Sequence, residues 1–158
     1  MIPADVNIDS LASQIQADHV AIGEFGLHHP GLEESLTHAV TDAQNSGFGT
    51  LGVVVLDHTP TVSADMRDIA WKVQQATGLD TIIVRSPDSG AVVSDTYSRA
   101  QLEAAQYHLL GNPDFAAGTR NFASDVMGMQ FPWTIVGIAL IAAILFIAAA
   151  TALAARKA

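Results

Sequence analysis

Apolar positions over residues 1–128 switch repeatedly between a period of about 3.6 and short unbroken runs, which predicts an α/β chain. After Asn7 or Asp9, either able to cap a helix start, Ile8, Leu11, Ala12 and Ile15 recur at helical spacing. His19 to Phe25 alternates weakly and predicts a short strand ending near Gly26. A firmer helix follows Pro30-Gly31. Leu32, Leu36, Ala39, Val40 and Ala43 form its apolar stripe, Glu33, Glu34, Thr37 and Asp42 face water, and Gly47 ends it. Leu51 to Leu56 reads LGVVVL, short and β-branched, as expected of a central strand buried on both faces. Ser63 or Thr61 caps the next helix, in which Met66, Ile69, Ala70 and Val73 share a face up to Thr77-Gly78, and Thr81 to Val84 supplies another strand. Strand, helix and strand within about thirty residues make a βαβ unit with parallel strands and a right-handed crossover. The turn Pro87-Asp88-Ser89-Gly90 returns Ala91 to Ser94 antiparallel, so the sheet is small and mixed, flanked by helices. Ser98 opens a helix carrying Leu102, Ala105 and Leu109, Gly111-Asn112-Pro113 breaks it, and a last helix runs from about Phe115 to Met127.

The pattern changes at Phe131. From there to Ala155 no residue is ionisable, and the run exceeds the roughly 20 apolar residues that cross a hydrocarbon core of about 30 Å. The expectation is one C-terminal transmembrane helix, anchored by Phe131 and Trp133 at its entry and by Arg156 and Lys157 at its exit. The chain then divides into a soluble α/β domain over 1–128, a transmembrane helix over 131–155 and a short basic tail over 156–158. The two terminal cations place the tail in the cytoplasm and the domain outside the plasma membrane, a single-pass topology. Met1 to Asp5 has no basic n-region of a signal peptide, which keeps a cytosolic tail-anchored adaptor as the other topology.

Charge narrows the partners. Sixteen Asp and Glu stand against seven Lys and Arg, and all the acids lie between Asp5 and Asp125 with five of the bases. Such a domain repels phosphate backbones and anionic lipid heads, so neither nucleic acid nor a peripheral polybasic membrane contact is expected; the membrane enters as a partner through the terminal apolar run, and a basic or cation-bearing protein through charge. The absence of cysteine removes disulfides, thiolate catalysis and Cys-based zinc or iron–sulfur sites.

Candidate chemistry is sparse. Asp57 directly follows the central strand, where open α/β sheets gather ligands, and with Asp5, Asp65 or Asp68 nearby it would offer oxygens to Ca²⁺ or Mg²⁺. Asp57, Asp65 and Asp68 are therefore the candidate metal ligands, although no ligand spacing supports them and an Asp at a strand end commonly caps a turn. His28-His29 would point to opposite sides of an extended chain, which speaks against a shared zinc, and His19, His38 and His108 read as surface residues. No GxSxG, GxGxxG or P-loop pattern occurs, so no catalytic or cofactor-binding residue is nominated and no enzyme is expected.

The opening IPADV, VVVLD followed by a helix and TG, the stretch IIVRSPDSGAVVSD and the apolar terminal run resemble the TPM-domain proteins. Within them the likeness is to a group of membrane proteins from mycobacteria and corynebacteria, and it covers nearly the whole chain. The resemblance implies a central sheet flanked by helices; some TPM relatives are phosphatases with acidic metal-binding loops. The Asp-Asn-Gly turn before a Leu-rich strand, familiar in such domains, is here SPDSGAVV, which argues against hydrolase activity. For the actinobacterial group the resemblance implies an extracytoplasmic module that binds and regulates an NlpC/P60 peptidoglycan endopeptidase in cell separation. A metal-dependent TPM-type phosphatase centred on Asp57 is the alternative.

Overall fold

The computed structural model describes residues 2–129 and 137–147. Its elements run α1 (Ile8–Asp18), β1 (Val20–Ile22), α2 (Phe25–His28), α3 (Leu32–Asn45), β2 (Leu51–Val55), α4 (Ser63–Thr77), β3 (Thr81–Arg85), β4 (Gly90–Ser94), α5 (Arg99–Gly111) and α6 (Phe115–Gly128). The sheet order is β1-β2-β3-β4, with β1 and β3 parallel to β2 and β4 antiparallel to β3.

Alternation along the strands divides the core. Val20, Val53, Val55, Ile83 and Val92 face a layer made by α3, α5 and α6, while Ala21, Val54, Ile82, Val84 and Val93 face α1 and α4. Every residue of β2 and β3 is buried, which explains why their sequences are apolar runs instead of alternating ones. Each such Val, Leu or Ile contributes about 1.5–3 kcal/mol by leaving water. One consequence escaped the sequence pattern. The crossovers β1-α3-β2 and β2-α4-β3 advance in the same direction across the sheet but pass over opposite faces, so their hands are opposite and only one follows the usual right-handed rule.

Side-chain caps account for three of the six starts of α1 to α6. The Asn7 side chain accepts from the Ser10 N–H at 3.0 Å, Ser98 and Gln101 form a reciprocal capping box, and Asp114 accepts from the Ala117 N–H at 2.9 Å. Helix α4 differs. Its N-cap is Val62, without a side-chain cap, so neither Thr61 nor Ser63 fills that role.

The starts of β2 and β3 are clasped by one carboxylate. Asp80 Oδ2 accepts from the Thr50 N–H at 2.9 Å and the Thr50 hydroxyl at 2.8 Å, and these bonds hold the Asp80 pKa below the usual carboxylate value. A carboxylate whose folded pKa is depressed stabilises the fold above its unfolded value, near 3.9, and that stability is lost as pH falls through the folded pKa. Asp80→Asn is therefore expected to cost about 1 kcal/mol at neutral pH, the low end for a charge-assisted bond near solvent. Urea titrations across pH should show the gap between wild type and variant closing below about pH 4; a gap that persists at pH 2 contradicts this assignment.

The expected spanning helix over 131–155 is corrected by the structure. Among the described residues no helix is long and apolar enough to cross a membrane. Of that stretch the structure describes residues 137–147, which are helical, and the rest of the expected span lies outside the described residues. The described fold is thus a four-stranded mixed α/β sheet flanked by helices, with no C-terminal spanning helix. The anchor residues Phe131, Trp133, Arg156 and Lys157 lie outside the described residues, as does the basic tail.

Candidate functional site

Because β1 and β2 are parallel, their carboxyl ends emerge side by side, β1 into Gly23 and β2 into Leu56-Asp57. The N-terminal segment around Asp5 and the first turns of α1 cover this end of the sheet, and Thr59, Pro60 and Asp65 close it, leaving a crevice of about 380 Å³. Such a position outside strand ends is where α/β sheets bind ligands.

The side chain of Asp57 is already engaged there. Its Oδ1 accepts the Phe25 N–H at 2.6 Å, which caps the single turn α2. A Cβ at residue 23 would lie 2.6 Å from both Asp57 carboxylate oxygens, so the close approach requires glycine at that position. Next to it, His58 Nε2 meets Asp5 Oδ2 at 2.6 Å, with the two side chains 72% and 53% exposed. A carboxylate-oriented His can act as a base, but this pair stands in solvent, where its mutual attraction is weak, and among the described residues no hydroxyl is hydrogen-bonded to His58.

Of the three candidate metal ligands, the structure brings Asp57 and Asp65 to this crevice, and Asp65 is buried in the first turn of α4. Asp68 instead borders a separate hollow with Trp71 and Asp95. Among the described residues no group of three or more His, Cys, Asp or Glu side chains is placed to hold a metal ion. Of the carboxylates at the crevice, Asp5 is bonded to His58 and Asp57 to the Phe25 N–H.

The histidines are placed by local structure. His28 ends α2 instead of lying in an extended chain, and His29 bonds the Phe25 carbonyl at 2.9 Å through Nδ1 and stacks on that ring with centroids 4.0 Å apart. His38 is exposed on α3, and His108 bridges α5 to α6 through Asp125 at 2.7 Å. His19 departs from the surface expectation: it is half-buried and takes the left-handed C-cap of α1, with φ 69°.

Sequence reasoning passed over Arg85. This residue ends β3, is 3% exposed, and donates from its guanidinium to the carbonyls of Leu109 and Asn112 while lying 4.2 Å over the Phe115 ring. Burial draws its pKa below the ordinary arginine value, although a guanidinium retains its proton in proteins. The one available signal was a cation closing the otherwise apolar run TIIV, in register with buried neighbours.

The complete chain, residues 1–158, matches the family described as membrane protein Rv1476. The membrane protein Rv1476 of Mycobacterium tuberculosis is 32% identical over 145 residues, which cover 91% of this chain and 73% of that protein. Among solved structures, the solution NMR structure of the N-terminal domain of the cg2496 protein from Corynebacterium glutamicum aligns with a TM-score of 0.56 over 83% of this chain and 88% of that one. Identity there is 19%, so the likeness concerns the fold alone. With a family match along the full length and a mycobacterial relative sharing about a third of its residues, the chain belongs to the Rv1476 family of membrane proteins.

Proposed function

We propose that this family member is a non-catalytic interaction module of the cell envelope, held at the membrane with its domain on the extracytoplasmic side, where it binds and regulates a peptidoglycan hydrolase of NlpC/P60 type in cell separation. The partner class and the cell-separation role come from the TPM-like resemblance, and the membrane setting from the family. The observation that carries the non-catalytic part is the engagement of Asp57. Asp57 turns one carboxylate oxygen onto the Phe25 N–H and lies against Gly23, a structural engagement at the end of β2 that supports the non-catalytic reading. Residues 1–128 carry sixteen acidic and five basic side chains, a surface that attracts a basic partner and disfavours anionic polymers.

The test is a titration of the full chain, in detergent micelles, with a purified NlpC/P60 hydrolase at low and high salt. Saturable binding that weakens about tenfold with added salt is expected, because complementary charge is screened beyond a Debye length. Absence of binding at both salt concentrations removes the reading.

A further inference from the structure

We propose that the single turn α2 and the hollow beside it form the partner-docking surface, taking an aromatic side chain flanked by lysine or arginine on the partner protein; this rests on the interaction-module reading and names its site.

The four residues of α2 are tied down from several sides. Asp57 holds the Phe25 N–H at 2.6 Å, His29 Nδ1 meets the Phe25 carbonyl at 2.9 Å, and a Cβ at residue 26 would lie 3.2 Å from Ile22, so the turn sits closely on β1. The Phe25 ring stacks on His29 at 4.0 Å and on Phe115, the first residue of α6, at 5.6 Å. Against that fixed backbone Leu27 is 80% exposed. An apolar side chain carried on a turn that is already ordered needs little further ordering when a partner covers it.

Beside the turn lies a hollow of about 500 Å³ walled by Phe25, His29, Pro30, Leu32, Pro113 and Phe115. An aromatic side chain suits these walls, because ring contacts add to the apolar area buried. The rim carries one sign. Glu24 precedes Phe25, Glu33 and Glu34 follow Leu32, and Asp114 borders the hollow itself; all four are exposed, and none is ion-paired among the described residues. No lysine or arginine lines the hollow among the described residues, and Arg85, over the Phe115 ring, is too buried to offer charge to an incoming group. An apolar centre inside a polar rim is the layout of protein interfaces, and carboxylates around that centre select cations beside the anchor. The sign agrees with the basic partner that suits an acidic domain.

Position separates a protein partner from the other occupants. Helix α6 starts at the hollow with Phe115, passes Phe48, ahead of β2, through Phe122, and ends at Gly128. Its 14 residues cover about 20 Å, and the uncharged run from Phe131 follows that far end in sequence. The hollow is therefore at the end of the domain opposite to the point where the chain leaves towards the run. A second copy meeting this face about a two-fold axis would set the same four carboxylates of both chains together.

The probe is a blocked pentapeptide of one tryptophan with two lysines on each side, titrated against the ¹⁵N-labelled full chain in neutral detergent micelles and read by amide chemical shifts. Saturable shifts are expected from Phe25 to Leu32 and at Asp114 and Phe115. Binding should weaken about tenfold when glutamate replaces lysine or alanine replaces tryptophan in the peptide, and again in Leu27→Asp, whose urea midpoint should match wild type because the side chain is exposed. Glu34→Lys should weaken it about threefold, and Tyr107→Asp, at a side chain 79% exposed on α5, should leave it unchanged. No shifts at millimolar peptide, equal affinity for the glutamate form, or shifts confined to the Asp57 crevice or to residues 137–147 overturn the proposal. The same shifts on concentrating the protein without peptide would make a second copy the occupant and overturn it too. The hydrolase titration separates the two readings: hydrolase affinity unchanged in Leu27→Asp removes this surface and leaves the module, whereas peptide binding at α2 without hydrolase binding removes the named partner and leaves the surface.

Discussion

Arg85→Ala is expected to lower the free energy of unfolding by about 3–4 kcal/mol. The guanidinium holds the carbonyls of Leu109 and Asn112 together at the break between α5 and α6, and its loss leaves the buried Leu109 acceptor and the half-buried Asn112 acceptor without this donor. Each orphaned group costs about 1–3 kcal/mol, and the vacated space beside Phe115 adds a cavity term. Against this stands the Arg85 Nε, which is buried without a hydrogen-bond partner and reduces what the native side chain is worth. Arg85→Met keeps the stem and its contact with the ring, so it should cost about half as much. Urea midpoints for the three proteins check the order. A loss below 1 kcal/mol in Arg85→Ala contradicts the role given to the guanidinium.

Phe122→Ala is the other large effect, about 3–5 kcal/mol by the cost of emptying a fully buried aromatic site. Phe122 meets Phe48 edge to face at 6.1 Å, and Phe48 stacks on Tyr97 at 4.8 Å, whose hydroxyl donates to the Phe48 carbonyl at 2.8 Å. This aromatic chain joins α6 to the loop before β2 and to the turn before α5. Domains of this size are stable by about 5–15 kcal/mol, so the variant should lose a large share of its stability and melt at a clearly lower temperature. Thermal unfolding followed by circular dichroism measures it; a shift in Tm under 3 °C would rule out a central packing role for Phe122.

Much of the fold was legible because its signals are local. LGVVVL and TIIV are short apolar runs with β-branched residues, and they became the buried central strands β2 and β3. Asn7 and Ser98 cap the helices they were expected to open, and Pro87 to Gly90 leads into the antiparallel β4. The signals that failed were of two kinds. A hydroxyl near a helix start does not say which residue becomes the N-cap, so Ser63 and Thr61 misled where Val62 holds the position. An uncharged stretch from Phe131 to Ala155 satisfies a hydropathy criterion, yet among the described residues no helix is long and apolar enough to cross a membrane.

The candidate site was legible only as a location. Asp57 follows a central strand, which placed it at the sheet's carboxyl edge, but its partner Phe25 is 32 residues away and belongs to a helical turn with no periodicity to announce it. Asp65 and Asp68 are each expected near Asp57 without a supporting spacing, and they border different hollows.

One experiment bears most directly on the claim that this domain acts by binding and not by catalysis. The full chain in micelles is combined with an NlpC/P60 hydrolase and peptidoglycan, and separately with a phosphate ester and Mg²⁺, using wild type and Asp57→Asn, whose amide oxygen can still accept the Phe25 N–H. The account predicts that both proteins change the hydrolase rate to the same extent and that neither turns over the ester. Mg²⁺-dependent ester hydrolysis that disappears in Asp57→Asn would contradict it.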